Sequence, residues 1–356
     1  MLQVKKLQKG DKVAIVSLSS GVLGESFVKH EYYLGIKNLR ELGLEPVFMP
    51  NSLKGIDFIK NNPQARFEDL KQAFADKEIK AIMCAIGGND AYLLTEYVLQ
   101  DKDFASIVKS NPKIFIGFSD STTNHLLLNS LGLHTFYGMS FLTDFAEFHK
   151  DMLPYTKSNF KTLFTNKINE RIKPSNYWYY ERDCFDESQL GVPRKRSKNS
   201  GYILLKGAGK AVGKLYGGCL EVLYREVQLY KTGEYEGVKC KSAILDKNMF
   251  KDCIILLETS EEKPSPEKFR TMVKELVDFG LFYKCHAVLL GKPQNQVYMR
   301  QYHKIIVKEL STYNNIIILA NLNVGHAQPH TLMPLGAKIE VDANKKSIQI
   351  KEAVLF

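Results

Sequence analysis

Residues 114–123 read IFIGFSDSTT, an apolar run that ends at Gly-Phe-Ser and leads directly into a helical pattern. A serine hydroxyl on a tight turn between a buried strand and a helix is exposed enough to act as a nucleophile once a base removes its proton. The backbone N–H of the next residue, Asp120, then lies at a helix start, where it can face a developing oxyanion. A helix cap formed by Ser119, Asp120 or Ser121 explains the same letters, and cap serines are commoner. Taken alone, the stretch favours the cap.

Strand and helix patterns alternate on both sides of this stretch. Apolar strand patterns occur at 12–18, 80–86 and 134–137, and helical spacing of apolar residues occurs at 28–44, 66–74, 91–99 and 125–131. This alternation predicts an α/β fold with a doubly wound parallel sheet and helices on both faces. Ligands bind beyond the carboxyl ends of the strands in such sheets. The loops at 19–21, 87–90 and 117–120 are therefore candidate site loops.

The 356 residues are enough for two domains of ordinary size. The alternating pattern covers residues 1–150, whereas residues 151–200 are polar and aromatic and indicate a connecting segment or lid. Strand patterns dominate residues 201–356, with helices predicted at 266–279 and 300–312. We therefore expect a second α/β domain that is richer in β-structure.

The composition, 44% hydrophobic and 25% charged, is typical of a soluble globular protein. We expect a cytoplasmic protein with no membrane contact, because no apolar run fits a signal peptide or membrane helix and the six cysteines form no C-x-x-C pair. The net charge of +10 is spread along the chain without a nucleic-acid-binding motif, so no nucleic-acid partner is expected. The densest basic run, residues 194–198, is predicted to be a solvated loop.

A second turn, Gly87-Gly88-Asn89-Asp90, follows the buried strand pattern at 80–86. Glycines there would let the backbone approach a ligand closely, so that its N–H groups bind a carboxylate or complete an oxyanion hole. An ordinary strand-to-helix turn capped by Asn89 or Asp90 fits equally well. The glycine-rich residues 207–213 lack the G-K-[ST] ending of a phosphate loop, which argues against that motif.

Two side chains with catalytic chemistry follow apolar strands in the second half. Glu258 ends such a strand, where a carboxylate is costly to bury unless it has a partner, while Glu261 and Glu262 look like solvated acids. His326 lies in a loop bounded by glycine and proline and is a candidate general base. His330 is a rival for that role, and a loop histidine without function also fits. No metal site is expected, because these histidines lack further ligands nearby.

Several stretches together resemble the serine LD-carboxypeptidases and their relatives, the microcin C self-immunity peptidases. In chain order they are KGDKVAIVSLSS, ARFEDLKQAFADKEIKAIMCAIGG, IGFSDSTT, GKLYGGCLEVL, IILLETSEE and GHAQPHTLMPLGAKIEVD. The resemblance spans nearly the whole chain. It implies a Rossmann-like N-terminal domain with the nucleophile, a β-rich C-terminal domain with the other two catalytic groups, a homodimer, and no metal or organic cofactor.

The resemblance also implies roles for individual residues. Ser119 matches the nucleophile, His326 the base, and Glu258 the acid that orients the base. The N–H groups of Gly88 and Asp120 would form the oxyanion hole. The chain order of serine, acid and histidine is that of other hydrolases, although any long chain offers many such triplets.

The glycine loop separates two branches of the family. Murein-recycling members resemble R-G-G-Y-G there, whereas I-G-G-N-D at residues 86–90 is more similar to the microcin-immunity branch. That branch cuts a peptidyl- or aminoacyl-nucleotide, and an aromatic residue from a nearby loop stacks on the base. Trp178 lies where such a loop would be, with a linker anchor as the alternative. Cys219 lies where relatives often have Asn. The predicted substrate-binding residues are Gly87, Asn89, Trp178 and Cys219.

We therefore predict a serine peptidase that hydrolyses an amide or acyl bond in a small peptidyl- or aminoacyl-nucleotide of the microcin C type. The first alternative is an LD-carboxypeptidase that releases D-Ala from murein tetrapeptide. The second, of a different class, is a catalytically silent protein that binds a nucleotide or peptide.

Overall fold

The computed structural model describes residues 1–165, 170–240 and 244–356. The strands are β1 (Lys12–Val16), β2 (Glu45–Phe48), β3 (Ile79–Cys84), β4 (Ile114–Gly117), β5 (Thr135–Tyr137), β6 (Arg171–Ile172), β7 (Tyr177–Tyr179), β8 (Arg196–Lys198), β9 (Ile203–Lys206), β10 (Lys210–Cys219), β11 (Glu234–Tyr235), β12 (Val238–Lys239), β13 (Cys253–Glu258), β14 (Ala287–Gly291), β15 (Ile317–Leu322), β16 (Met333–Leu335), β17 (Lys338–Asp342) and β18 (Ser347–Ile350). The helices are α1 (Lys29–Glu41), α2 (Gly55–Asn61), α3 (Pro63–Ala75), α4 (Leu94–Gln100), α5 (Phe104–Ser110), α6 (Thr122–Ser130), α7 (Pro154–Phe160), α8 (Leu220–Thr232), α9 (Pro266–Phe279) and α10 (Met299–Glu309). None of these helices is both long enough and apolar enough to span a membrane.

The N-terminal sheet has the strand order β16-β5-β4-β3-β1-β2 within the described residues. Its strands β1 to β5 pair in parallel, and β16 is antiparallel to β5. The order β2-β1-β3-β4-β5 is a doubly wound arrangement, and all four residues of β4 are buried, as a strand covered on both faces requires. The predicted Rossmann-like N-terminal fold is confirmed.

The second sheet has the order β6-β18-β17-β10-β13-β14-β15-β9 within the described residues. Its central strands β10, β13, β14 and β15 run parallel, and antiparallel strands flank them on both sides. The C-terminal part is therefore α/β and rich in strands, as predicted. The helix predicted at 266–279 is α9, which begins after the Ser265 cap and ends before Gly280 in the left-handed conformation.

The loop at 323–332 crosses from one sheet to the other. It begins after β15 of the second sheet and ends at β16, which joins the edge of the N-terminal sheet. Met333 of β16 lies opposite Tyr137 of β5 in the antiparallel pair. This crossing loop carries His326, so the two halves of the chain meet where the candidate base lies.

Residues 151–200, expected as a connecting segment or lid, contain α7 and a hairpin formed by β7 and β8. The N–H of Tyr179 in this hairpin donates to the carbonyl of Gln328 at 2.9 Å. The hairpin therefore lies against the crossing loop. Movement of the segment as a lid stays a prediction.

The prediction of a solvated loop for the basic run at 194–198 holds only in part: Lys195, Arg196 and Lys198 are exposed, but Arg194 is not. The guanidinium of Arg194 is buried, with Nε 2.7 Å from Glu147 Oε2 and Nη1 2.5 Å from Glu181 Oε1. Residues 196–198 form β8. The physical reason is that two carboxylates from other parts of the chain neutralise Arg194 and allow its burial.

Candidate active site

Ser119 stands on a strained turn between β4 and α6. Its φ is 60°, in the left-handed region that non-glycine residues seldom adopt. Such strain costs about 1–3 kcal/mol and persists where the surroundings impose it. Here Thr122 Oγ1 donates to the Ser119 carbonyl at 2.7 Å, and the Ser119 N–H donates to the Tyr137 hydroxyl at 3.0 Å. Ser121, the N-cap of α6, makes no side-chain capping hydrogen bond, which removes the support for the cap alternative at that position.

The three predicted catalytic side chains form one hydrogen-bonded chain. Ser119 Oγ lies 3.0 Å from His326 Nε2, and His326 Nδ1 lies 2.8 Å from Glu258 Oε2. Glu258 is fully buried, and His326 is its partner, as the cost of burying a carboxylate requires. This order of hydroxyl, imidazole and carboxylate is the arrangement that activates a serine nucleophile.

Tyr137 joins this chain although the sequence did not single it out. Its hydroxyl donates to Glu258 Oε1 at 2.6 Å and accepts the Ser119 N–H. Burial, assisted by the neighbouring carboxylate of Glu258, raises the pKa of Tyr137 well above its ordinary value, so the phenol stays protonated. The one available signal was its place at the carboxyl end of β5, next to β4.

His125 supports the end of β4 from below the turn. Its Nε2 lies 3.0 Å from the Gly117 carbonyl, and its Nδ1 lies 2.8 Å from Thr135 Oγ1. Burial lowers the pKa of His125 to about 4, so the ring is neutral at pH 7. Nε2–H therefore donates to the carbonyl and Nδ1 accepts from the hydroxyl. This histidine positions the strand end rather than taking part in chemistry.

The glycine loop after β3 packs directly on the nucleophile. A Cβ on Gly87 would lie 2.9 Å from Ser119 Cβ and 3.0 Å from Ser119 Oγ, closer than a side chain tolerates. Gly88 has φ 151°, and a Cβ there would lie 2.2 Å from Ser19 Oγ. Both positions thus require glycine for close approach. The oxyanion hole formed by the N–H groups of Gly88 and Asp120 stays a prediction.

The carboxylate of Asp120 is a structural tie beside the nucleophile. Oδ2 accepts from Ser19 Oγ at 2.6 Å and from the Ala91 N–H at 2.8 Å. Oδ1 accepts from Arg225 Nη2 of α8 at 2.6 Å. Nη1 of the same guanidinium donates to the Asn89 carbonyl at 2.7 Å. Asp120 therefore ties the loops after β1, β3 and β4 to the C-terminal half.

Cys219 ends β10, in register with Glu258 on β13. Its N–H donates to Thr122 Oγ1 at 2.9 Å, and its Sγ donates to Glu221 Oε2 at 3.3 Å. Burial raises the pKa of the Cys219 thiol well above its ordinary value, with further contributions from the nearby carboxylates. The side chain is thus a buried neutral thiol, and its substrate contact stays a prediction.

A cavity of about 410 Å³ opens in front of Ser119. Its lining is formed by Ser20, Val22, Ile86, Gly87, Gly88, Phe118, Ser119, Thr143, Glu181, Phe185, Arg194, Glu261, Gln294, His326, Gln328 and His330. Asn89, Trp178 and Cys219 are not among these lining residues. Trp178 is 5% exposed, with its ring 4.3 Å from that of Tyr180, which suits the anchor alternative. Its stacking on a substrate stays a prediction.

Two carboxylates contact the imidazole of His326. Glu258 contacts Nδ1. Glu261 is 59% exposed, in line with the predicted solvated acid, but its Oε2 also lies 2.9 Å from Nε2. Burial alone would lower the pKa of His326, but these two carboxylates raise it well above its ordinary value. The contact with His326 in turn lowers the pKa of Glu261 to about 2.

His330, the alternative base, is paired with a carboxylate outside the set formed by Ser119, His326 and Glu258. Its Nδ1 lies 2.8 Å from Asp144 Oδ1, and both side chains are buried. The ring of Phe118 lies against both histidines, with centroid distances of 5.1 Å to each. The geometry therefore favours His326 over His330 as the base.

Comparison with known proteins places both halves of the chain. Residues 13–138 match the model of the LD-carboxypeptidase N-terminal domain, and residues 212–341 match that of the LD-carboxypeptidase C-terminal domain. The microcin C7 self-immunity protein MccF of Escherichia coli is 26% identical, over 98% of this chain and 95% of that protein. A Bacillus subtilis (strain 168) protein named "Probable murein peptide carboxypeptidase" is also 26% identical, over 98% of this chain and 94% of that protein.

A solved structure is closer in sequence. The crystal structure of an MccF-like protein from Streptococcus pneumoniae in complex with AMP is 44% identical to this chain. It covers 96% of this chain, this chain covers 98% of it, and the TM-score is 0.88. The two proteins therefore share one fold over nearly their whole length.

Proposed function

This chain belongs to the LD-carboxypeptidase family, and we propose that it is a serine peptidase with Ser119, His326 and Glu258 as its catalytic triad. The observation that carries the proposal is the unbroken set of contacts from Ser119 Oγ through the imidazole to the buried carboxylate. The intact set of contacts counts against a catalytically silent binding protein.

In the proposed reaction, His326 Nε2 takes the proton of Ser119 as Oγ attacks the substrate carbonyl. Glu258 holds Nδ1–H and stabilises the imidazolium that forms. The N–H groups of Gly88 and Asp120 bind the oxyanion, and the imidazolium then gives its proton to the leaving nitrogen. Water, deprotonated by His326, attacks the acyl-enzyme and restores the serine.

The proposed substrate is a small peptidyl- or aminoacyl-nucleotide of the microcin C type. Two relatives support it: the Streptococcus pneumoniae protein, whose crystal structure contains AMP, and MccF, whose name states immunity to microcin C7. The sequence adds that residues 86–90 lack the arginine expected for a murein tetrapeptide. The Bacillus subtilis relative supports the second candidate, release of D-Ala from murein peptides.

Incubation of the protein with an aspartyl-sulfamoyl adenosine and with a murein tetrapeptide, read by mass spectrometry, tests this proposal. We expect cleavage of the nucleotide compound to aspartate and sulfamoyl adenosine, with loss of turnover in Ser119→Ala. Ser130→Ala, at the exposed end of α6, is the matched control and should keep full activity. Release of D-Ala alone would overturn the substrate assignment, and turnover of neither compound would count against both reactions.

A homodimer and a cytoplasmic location belong to the same proposal. The homodimer rests on the family resemblance, and the cytoplasmic location rests on the cysteine usage and the apolar patterns of the sequence. Size-exclusion chromatography with light scattering tests the dimer, for which a mass of twice 40.5 kDa is expected.

A further inference from the structure

Glu261 contacts His326 Nε2, the nitrogen that must accept the proton of Ser119 in the proposed reaction. His326 Nε2 lies 3.0 Å from Ser119 Oγ and 2.9 Å from Glu261 Oε2. A serine nucleophile needs Nε2 as a proton acceptor. A carboxylate at hydrogen-bond distance from the same nitrogen competes for that atom.

The contact with Glu261 requires a proton on Nε2. Nδ1 donates its hydrogen to Glu258, so a neutral His326 would present the lone pair of Nε2 to the lone pairs of the second carboxylate. Only the imidazolium, with N–H on both nitrogens, makes both contacts favourable. An imidazolium cannot accept the proton of Ser119. The arrangement described here is therefore a resting state.

The groups around His326 are consistent with this protonation state. Glu258 and Glu261 are the carboxylates in contact with the ring, and Phe118 packs against it. Behind Glu258, the hydroxyl of Tyr137 and the thiol of Cys219 stay protonated because burial raises their pKa values. Glu221 behind them has a pKa raised by burial and by Glu258.

An arginine that lines the cavity is already paired. Arg194 lines the cavity, but its guanidinium contacts Glu147 and Glu181. Among the described residues, the ion-pair partner of Glu261 is His326. A positive group or a strong N–H donor that enters with the substrate can therefore compete with His326 for Glu261.

We propose that Glu261 is a substrate-recognition residue that binds an α-ammonium next to the scissile carbonyl, and that this exchange of partners frees His326 to act as the base. The proposal rests on the aminoacyl-nucleotide function proposed above. When the ammonium takes Glu261, Nε2 loses its proton to water and becomes the acceptor for Ser119. The step is a proton transfer: the Nε2–H bond breaks, water takes the proton, and no other covalent bond changes.

The distances support an ammonium at this place. Ser119 Oγ lies 3.0 Å and Glu261 Oε2 lies 2.9 Å from the same atom, His326 Nε2. The distance between the two oxygens therefore cannot exceed the sum of these two distances. The α-nitrogen of an aminoacyl group is only two bonds from the carbonyl carbon that Oγ attacks. The 59% exposed side chain can swing toward it without loss of core packing. A peptidyl substrate offers an amide N–H there, which is a weaker partner for a carboxylate.

A comparison of two substrates tests this recognition: aspartyl-sulfamoyl adenosine, which has a free α-amine, and its Nα-acetyl analogue, which does not. Hydrolysis of each is measured with the unmodified protein and with the Glu261→Gln and Glu262→Gln variants. We expect the unmodified protein to prefer the free amine by about tenfold or more in kcat/KM, as one charged hydrogen bond allows. Glu261→Gln should lose most of this preference through KM, and its kcat/KM profile should begin to rise at lower pH. Glu262→Gln, an exposed neighbour, should behave as the unmodified protein. An unchanged preference in Glu261→Gln would overturn the proposal.

A measurement without substrate separates this proposal from the proposed function. NMR titration of the His326 imidazole, assigned with a His326→Ala variant, reports the protonation of the base directly. Its midpoint should be lower in Glu261→Gln than in the unmodified protein and in Glu262→Gln, because one of two raising carboxylates is gone. Equal midpoints would overturn the role of Glu261 even if the nucleotide is cleaved. A lowered midpoint without cleavage of either compound would locate the failure in the proposed substrate.

Discussion

Tyr137 links the nucleophile to the acid through one hydroxyl group. It accepts the backbone N–H of Ser119 and donates to Glu258, while its own burial keeps it neutral. A single oxygen thus holds both the backbone of the strained turn at Ser119 and the side chain of Glu258 in place. Glu258 has its Oε2 on His326 and its Oε1 on this phenol, so both of its oxygens are engaged.

Tyr137→Phe should therefore lower both stability and activity. It leaves a buried N–H and a buried carboxylate oxygen without partners, which costs about 1–3 kcal/mol of unfolding free energy. We expect kcat/KM to fall roughly 10- to 100-fold because the acid and the turn lose their shared support. Urea unfolding and kinetics measure the two effects.

Tyr202→Phe is the matched control for Tyr137→Phe. Tyr202 is also buried, and its hydroxyl donates to the Ile172 carbonyl at 2.9 Å, away from the cavity lining. This change should reduce stability and leave kcat/KM unchanged. Equal activities for the two variants would contradict the linking role of Tyr137.

Lys292 is a buried amine outside the proposed chemistry. It is 1% exposed, and its Nζ has Asn199 Oδ1 at 3.2 Å. Burial lowers its pKa from 10.5 to about 7. Between pH 7 and 10.5 the unfolded chain then binds the proton and the folded one does not, so stability should rise with pH across that window.

Lys292→Met should remove this pH dependence and raise the stability at pH 7, by on the order of a few kcal/mol. The measurement is urea unfolding at a series of pH values between 7 and 10 for both proteins. A parallel pH dependence in the two proteins would show that Lys292 is charged in the folded state.

At the scale of elements, the turn between β4 and α6 stores strain at Ser119. Ser119 has φ 60°, and glycine adopts that conformation without the cost of a Cβ. Both Ser119→Gly and Ser119→Ala remove the nucleophile and should abolish turnover. Ser119→Gly should nevertheless be more stable than Ser119→Ala by about 1 kcal/mol in urea unfolding. A less stable glycine variant would mean that the turn relaxes when the hydroxyl is removed.

The elements themselves were largely predictable from the sequence. Long apolar runs identified β3, β4 and β13, and a helix was also predicted at residues 266–279, where α9 lies, because such signals are local. Turn chemistry and chain order, strengthened by the resemblance, identified Ser119 and His326 as candidates, and the structure brings them together. The parallel alternation predicted that their loops lie at strand ends.

Other features depend on contacts between distant parts of the chain. Tyr137 and Glu258 are 121 residues apart, and no local pattern signals their hydrogen bond. Arg194 looked solvated because its partners Glu147 and Glu181 lie outside its own stretch. The three-residue β16 is too short for a periodic signal, so its crossing to the N-terminal sheet was not predicted.

At the scale of the whole molecule, the site exists only where the two sheets meet. Ser119 follows a strand of the N-terminal sheet, whereas Glu258 ends a strand of the second sheet and His326 lies on the loop between them. A change in the packing of the two halves would therefore separate the base from the nucleophile. The buried tie between Asp120 and Arg225 crosses the same junction beside the site.

Arg225→Met should weaken the junction and the site together. The substitution leaves the buried carboxylate of Asp120 without its cation and the Asn89 carbonyl without its donor. Breaking such a buried ion pair costs about 3–5 kcal/mol of unfolding free energy. The glycine loop and the turn of Ser119 lose their common support, so kcat should also fall, by at least about tenfold. Arg270→Met, which breaks a surface contact of 2.8 Å to Glu309, is the matched control and should change stability by no more than about 1 kcal/mol. If both arginine variants unfold at the same urea concentration, the tie at Asp120 does not hold the halves together. Equal kcat values with unequal stability would mean that the contact between Asp120 and Arg225 stabilises the fold, while Tyr137 holds the geometry of Ser119.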